Sequence, residues 1–329
     1  MENMRTTPKS MKQAISRSIR SVLLGLGSAT KAELSETLDI SFPTISKFIG
    51  HMEKDGEVVE VGLDDSSGGR RAKRYAYNPE YSLGLAVFLE KSATHYAVFN
   101  CAGDVKEQGT EASVLAGDNL ELLEAVIGAC LEKHPKICAL SIGVPGAVNN
   151  GRIIYIPDYG QLQNIDLKTH LEARFSMPAA IENDMNAAVL GYHHREKMSA
   201  AQSLVYIYLG QNGPGAGIIV NGDVIRGSTS FSGEISLIPQ YDQANFWQAL
   251  QQKSRKDALG RIVASLSAIL NPHQVIFSKE DIEQGELKEV AQASSQFIPP
   301  EHLPVLVSSD WKQDYLHGLE SLGLRLMLN

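Results

Sequence analysis

Acidic and amide side chains stand beside glycine-rich segments at two places in this sequence. The first is the triplet Glu182-Asn183-Asp184, and the second is Glu234, inside a glycine-dense segment at 203–237. Carboxylates accept hydrogen bonds from hydroxyl groups, and glycines let backbone amides come close to a ligand. Together these residues suit a ligand-binding site, although glycine-rich hairpins are often only hairpins.

An alternation of strands and helices has to position these side chains. Strands are predicted at 83–89, 95–100, from 105, and at 137–142, 178–181, 204–208, 217–220, 274–277 and 304–307. Helices are predicted at 120–132, 167–175, 185–192, 246–270, from 282 and from 315. Asn221-Gly222 suits a two-residue hairpin turn with positive φ. The triplet falls where a strand ends and a helix begins, which is where α/β folds place ligand chemistry.

The first 78 residues have a different pattern. Apolar spacing predicts a helix at 11–26, and a capping box at Thr30 and Glu33 opens a helix at 31–38. Ser41 is expected to cap a third helix. Two strand-like segments at 58–61 and 73–77 flank a turn that contains arginines. Three helices and a hairpin predict a winged helix-turn-helix that binds a double-stranded DNA operator. The residues expected to contact DNA are Thr44, Ser46, Lys47, Arg70 and Arg71. Trihelical patterns also occur in protein-interaction modules.

Composition agrees with a soluble two-part protein. The chain has 329 residues, 43% of them hydrophobic and 21% charged, and no apolar run long enough to span a membrane. The net charge is −8, with the acidic excess after residue 79 and a slight basic excess before it. Three cysteines without metal-site spacing are expected to be reduced thiols, and the N-terminus lacks an apolar signal region. We therefore expect a cytoplasmic protein.

Asn78-Pro79 interrupts the pattern and marks a boundary, which predicts a DNA-binding domain at 1–78 and an effector-binding domain of two lobes at 79–329. Four segments of the second part resemble the ROK family of repressors and sugar kinases. They are LSIGVPGAV at 140–148, IENDMNAAVLG at 181–191, GPGAGIIVNGDVIRG at 213–227 and the pair Gly233-Glu234. The resemblance covers nearly the whole chain. It implies an α/β fold, with an N-terminal winged helix-turn-helix followed by a two-lobed actin-like/ribonuclease-H-like ATPase fold.

The resemblance also suggests roles for individual residues. Asn183 and Asp184 would bind sugar hydroxyls, Asp184 being the general base in kinase relatives, and Glu234 would accept from two more hydroxyls. Gly146 lies in the turn under the sugar, and Asp158 replaces an expected asparagine. The alternative is that Asp184 only caps its helix and that Glu234 lies on a solvated loop.

This chain departs from the family's kinases at three nucleotide-contact elements. The first hairpin reads FLEKSAT at 88–94 where the kinases have D-x-G-G-T-K, the second loop has Gln211-Asn212, and the late Gly-Gly is missing. A γ-phosphate needs free backbone amides and a carboxylate associated with Mg²⁺. The family's zinc ligands are also missing, since Leu237 stands at the histidine position and no cysteine follows Cys138. We expect no cofactor, no metal and no catalytic residue.

The sequence therefore predicts a homodimeric, possibly tetrameric, transcription regulator, in which a sugar or sugar-phosphate effector acts without being phosphorylated. One alternative is a bifunctional ATP-dependent sugar kinase with an atypical phosphate loop. Another is a regulator that responds to a protein partner.

Overall fold

The computed structural model describes residues 8–64, 71–117, 120–156, 159–210 and 213–328, with side chains from Ser10 onward. Two of the predicted site residues, Arg70 and Asp158, lie outside the described residues, and so does the altered pair Gln211-Asn212 of the second loop. Within the described ranges, no helix combines the length and the apolar character needed to cross a bilayer.

Three helices and a small antiparallel sheet form the N-terminal unit, residues 8–77. Its elements are α1 (Pro8–Leu26), β1 (Ala29–Thr30), α2 (Lys31–Leu38), α3 (Phe42–Lys54), β2 (Val58–Leu63) and β3 (Lys73–Tyr77). The strand order is β1-β3-β2. The predicted capping box is present, since Glu33 N–H donates to Thr30 Oγ1 at 3.1 Å and Thr30 N–H donates to Glu33 Oε2 at 2.7 Å. Ile19, Leu23 and Ile45 form part of its buried core.

A five-stranded mixed sheet forms the first lobe. Its elements are β4 (Leu83–Leu89), β5 (Ala93–Asn100), β6 (Val105–Ala112), α4 (Val114–Gly117), α5 (Leu120–Lys133), β7 (Ile137–Val144), β8 (Ala147–Asn149), β9 (Arg152–Tyr155), α6 (Leu167–Phe175), β10 (Ala179–Asn183) and α7 (Asp184–Arg195). The strand order is β10-β7-β4-β5-β6, with β4, β7 and β10 parallel. The carboxyl ends of β7 and β10 therefore lie side by side, and the triplet at 182–184 is placed there.

A second five-stranded sheet forms the second lobe. Its elements are β11 (Leu204–Tyr208), β12 (Gly215–Val220), β13 (Asp223–Val224), β14 (Pro239–Tyr241), β15 (Ala244–Asn245), α8 (Phe246–Gln252), α9 (Arg255–Leu270), β16 (Gln274–Ser278), α10 (Gln284–Ser294), β17 (Val305–Ser309) and α11 (Trp311–Leu328). The strand order is β13-β12-β11-β16-β17. Asn221 and Gly222 both have positive φ, at 51° and 84°, as the predicted hairpin turn requires.

Helices α7 and α11 pack closely against each other between the two sheets. At Gly191 of α7, an added Cβ would lie 1.7 Å from the carbonyl oxygen of Asp314 on α11, so only glycine allows this approach. Asp314 is fully buried and accepts from Tyr206 OH at 2.9 Å. The helix that begins at Asp184 is thereby fixed to α11 and to β11.

Two local predictions were wrong. The single helix at 246–270 is two helices, because the chain leaves α8 after Gln252 and Ser254 caps α9 by accepting from Asp257 N–H. Ser41 does precede α3, but its side chain makes no cap hydrogen bond. Its Oγ pairs with Thr44 Oγ1 at 2.8 Å instead.

Candidate functional site

Four of the residues predicted to contact the effector line one cavity between the lobes. Gly146, Asn183, Asp184 and Glu234 surround a space of about 100 Å³. Gly146 has a φ of +101°, and an added Cβ would lie 2.3 Å from the backbone oxygen of Tyr155, so a side chain here would clash with the β8–β9 hairpin. The structure thus brings together residues from three separate segments, as the sequence predicted.

Asn183 holds the start of α7 in place. Its Oδ1 accepts from Asn186 N–H at 2.9 Å, which makes it the N-cap of the helix. Its Nδ2 donates to Gly146 O and to Asp184 Oδ1, both at 2.8 Å. Both amide protons are therefore committed to protein acceptors, so Asn183 acts on a ligand mainly by positioning Asp184.

Asp184 lies deep in the cleft, and part of its surface opens to the cavity. Its Oδ1 accepts from Asn183 Nδ2 and from Met185 N–H, each at 2.8 Å. The second oxygen, Oδ2, takes part in neither of these hydrogen bonds and remains for a ligand hydroxyl.

Burial controls the ionisation of the two carboxyl groups. It raises the pKa of Asp184 to about 7, with a further rise from the charge of Glu234, while the hydrogen bonds from Met185 and Asn183 act against it. Burial also raises the pKa of Glu234, which is half-buried rather than solvated. Hydroxyl groups that donate to these oxygens would stabilise the ionised forms, so ligand binding and proton release are coupled here.

An ion pair between a buried carboxylate and a partly exposed guanidinium was not predicted from the sequence. Glu182 is 6% exposed and pairs with Arg226, which follows β13 in the glycine-dense segment. The other oxygen of Glu182 accepts from Asn183 N–H at 3.0 Å and from Asn186 Nδ2 at 3.1 Å. The pair links the second lobe to the start of α7. Both residues lie in motifs quoted for the family resemblance, and a charge inside an apolar strand was the only local signal.

Aromatic and hydroxyl side chains complete the cavity and were also missed. They are Tyr155, Tyr208, Ser232 and Ser236. The Tyr208 ring stacks on Trp311 of α11, with centroids 4.1 Å apart and planes 12° from parallel. Tyr208 is the last residue of a strand that was predicted correctly. The alternation of side chains along a strand does not indicate which of its ends faces a cleft.

A glutamate in the turn after β4 contacts basic side chains of β5 and α11. Glu90 Oε2 lies 2.7 Å from His95 Nε2 and 3.7 Å from Lys312 Nζ. The Glu90 side chain is only 13% exposed. It therefore faces protein partners at the place where the kinase relatives are expected to carry a phosphate loop.

The residues predicted to contact DNA lie in the N-terminal unit. Lys47 of α3 and Arg71, which precedes β3, are exposed, whereas Thr44 and Ser46 are partly exposed. Thr44 and Lys47 face a groove that Lys12 and Ser16 of α1 also line. The helix at 11–26 was predicted, but no contact with DNA was predicted for it, although its polar face carries basic residues.

Comparison with known proteins gives a consistent result. The sequence model of the ROK family matches residues 106–245. The xylose repressor of Caldicellulosiruptor bescii is 28% identical over 216 residues, which is 63% of this chain and 53% of the relative. The DNA-binding transcriptional dual regulator NagC of Escherichia coli is 25% identical over 236 residues, which is 69% of this chain and 58% of the relative. The chain thus spans little more than half the length of the curated relatives it matches.

Solved structures extend the likeness to the fold. A ROK family transcriptional regulator described as a homolog of the E. coli MLC protein has a TM-score of 0.70 at 17% identity, over 95% of this chain and 99% of that chain. A ROK family glucokinase from Streptomyces griseus in complex with glucose and AMPPNP has a TM-score of 0.59 at 18% identity, over 74% of this chain and all of the other. The two lobes have the actin-like fold that these regulators and kinases share, and residues 106–245 match the sequence model of the ROK family.

Proposed function

We propose that this protein is a DNA-binding transcriptional repressor whose ROK domain binds a sugar or sugar derivative without phosphorylating it. The single observation that carries the proposal is the cavity between the lobes, where Asp184 and Glu234 present carboxylate oxygens to a polyhydroxylated ligand. The names of the relatives support a sugar effector and leave two classes open, a pentose and an N-acetylated hexosamine.

DNA binding is assigned to the N-terminal unit, as a winged helix-turn-helix within residues 1–78. α3 would enter the major groove with Thr44, Ser46 and Lys47, and the β2–β3 hairpin would contact the backbone through Arg70 and Arg71. Two copies of the chain would read a two-fold operator as a homodimer in the cytoplasm. A sugar that closes the lobes would change the spacing of the two DNA-binding units and so shift the population that fits the operator.

The test begins by selecting operator duplexes from a random library with the full-length protein. Fluorescence anisotropy then measures operator affinity with and without each sugar of a panel of hexoses, pentoses and N-acetylhexosamines. We expect one sugar or a small set to change operator affinity at least tenfold. Failure to select any duplex, or an affinity that no sugar changes, would contradict the proposal.

A sugar kinase is the second candidate, because the fold is shared with glucokinases and Asp184 stands where kinase relatives have their base. Against it, the turn after β4 contains no glycine, and Glu90 is paired with His95 and Lys312. Incubation with ATP, Mg²⁺ and the same sugars should yield no sugar phosphate. Turnover above a blank without enzyme would favour the kinase.

A further inference from the structure

A groove between α1 and α3 of the N-terminal unit has the size of a small-molecule site. Its volume is about 810 Å³, and ligand pockets commonly measure about 300–1,000 Å³. On α1 it is lined by Lys12, Ser16 and Arg20, whose spacing puts them on one helix face. On α3 it is lined by Thr44, Lys47, Phe48, His51 and Met52. This α1–α3 groove shares no lining residue with the cavity between the lobes.

The two ends of the α1–α3 groove differ in charge. Asp55 and Glu57 follow α3, and Glu57 pairs with Arg20 of α1. Lys12 lies eight residues before Arg20 on α1. Lys47 lies eight residues before Asp55, so each lysine is about 12 Å from the acidic end. Both lysines are exposed, and neither forms an ion pair within the part of the chain that the structure describes. One end of the groove therefore carries uncompensated positive charge.

Apart from these charged groups, much of the lining is apolar. Phe48 of α3 and Tyr81, which follows the boundary at 78–79, are partly exposed, and the buried side chain of Met52 also lines the groove. Partly exposed aromatic rings gain free energy when an apolar group covers them. A DNA phosphate would pair with the lysines, but it brings no large apolar group to cover these side chains. The lining thus suits an anion that carries an apolar body.

We propose that the α1–α3 groove binds an organic anion with an apolar body, and that this ligand and DNA exclude each other. The anionic group pairs with Lys12 and Lys47, while the body covers Phe48 and Tyr81. Lys47 is also one of the side chains proposed to contact DNA, so the groove cannot hold both partners. The exclusion rests on the proposed DNA binding, whereas the ligand site itself does not. Such a ligand releases DNA without acting through the cavity between the lobes.

The binding test compares two fluorescent dyes that differ only in charge. 1-Anilinonaphthalene-8-sulfonate (ANS) is an anion with an aromatic body, and N-phenyl-1-naphthylamine (NPN) is the same molecule without the sulfonate. Titration of the full-length protein should show that ANS binds at least about tenfold tighter than NPN. Replacing Lys12 and Lys47 together by alanine should weaken ANS about 10-fold and leave NPN within about twofold. The matched control replaces Lys279 and Lys288, two exposed lysines of the second lobe, and should change neither affinity.

The exclusion is tested on the unmodified protein, by fluorescence anisotropy with a DNA duplex that the protein binds. A competitor present at ten times its own Kd raises the apparent Kd of the other ligand about 11-fold. ANS at that concentration should therefore weaken binding of the duplex by about that factor. NPN at the same concentration should weaken it by about twofold or less, because its own Kd is at least about tenfold higher.

The outcomes separate the ligand site from the proposed function. Equal affinities for the two dyes, or an ANS affinity that is unchanged without Lys12 and Lys47, would overturn the ligand site. Simultaneous binding of ANS and the duplex would overturn the exclusion. If no duplex binds, the proposed DNA binding fails, and the exclusion fails with it, while the two dye affinities still decide the ligand site.

Discussion

Arg195 at the end of α7 donates from Nε to Asp314 Oδ1 near the start of α11, at 2.9 Å. Tyr206 of β11 donates to the other oxygen of the same carboxylate at 2.9 Å. Asp314 therefore joins three elements, one of which begins at Asp184 in the cavity. A change at the start of α7 has a direct mechanical route to α11 and to the second lobe.

Loss of this carboxylate should be strongly destabilising. Asp314→Ala leaves the Arg195 guanidinium and the Tyr206 hydroxyl without their buried acceptor, so we expect the free energy of unfolding to fall by about 3–5 kcal/mol. Urea denaturation followed by circular dichroism measures it. Asp310→Ala, which removes an exposed carboxylate just before α11, is the control and should cost about 1 kcal/mol. A loss of less than 1 kcal/mol in Asp314→Ala would show that water replaces the carboxylate.

Asp184→Asn should impair the response to the effector and spare DNA binding. The change replaces a charged carboxylate by a neutral amide of similar shape. The charge-assisted hydrogen bonds to the effector are lost, so effector affinity should fall about 10- to 150-fold. Operator affinity without effector should stay near that of the parent, because the residues proposed to contact DNA lie in the N-terminal unit. Anisotropy titrations of both ligands measure the two effects.

A variant of the second carboxylate in the same cavity tests whether the two carboxylates bind one ligand. Glu234→Gln should also weaken the effector, and the double variant should lose less than the sum of the two single losses if both carboxylates hold one ligand. If Asp184→Asn lowers the melting temperature and leaves the effector response intact, Asp184 only caps the helix.

The raised pKa of Asp184 predicts a pH-dependent stability. Because the folded-state pKa is about 7 and the ordinary value is 3.8, the folded protein holds this proton more tightly. Its contribution to stability is complete below the ordinary value and is lost as pH rises through about 7. Asp184→Asn removes the titration, so the stability of the variant relative to the parent should increase by about 2 kcal/mol between pH 5 and pH 8. Asp223→Asn, which replaces an exposed carboxylate of β13, should have the same stability difference from the parent at pH 5 and at pH 8. If the stabilities of Asp184→Asn and of the parent change in parallel with pH, the raised pKa of Asp184 is contradicted.

The charged residues of the N-terminal unit should contribute to DNA affinity independently of sequence. Lys47→Ala and Arg71→Ala should each weaken binding to operator and to unrelated duplexes. Each lost phosphate contact should reduce the slope of log affinity against log salt by about 1. Lys288→Ala on α10, exposed in the second lobe, is the control and should change neither. If the double variant has the same slope of log affinity against log salt as the parent, these two residues do not contact DNA phosphates.

Local signals in the sequence predicted most of the helices and strands. The capping box at Thr30, the Asn221-Gly222 turn and the strand at 204–208 depend on neighbouring residues, and each is present. The Glu182–Arg226 pair and the Tyr208–Trp311 stack join residues that are distant along the chain, and no local pattern encodes them. The break between α8 and α9 was missed because apolar spacing continues across it. The pocket was predicted only where a family resemblance replaced the missing long-range information.

The position of α11 in the sequence has a consequence for biosynthesis. This helix covers the first-lobe sheet, where the Phe99 ring lies in the space beside Gly323, although α11 follows every strand of the second lobe. A nascent chain that has completed β4, β5 and β7 still exposes an apolar sheet face, which stays uncovered until α11 has left the ribosome. The second lobe can pair its strands earlier, so the lobe synthesised first is finished last. A pause in translation before α11 would therefore prolong the interval in which this apolar face is exposed to solvent.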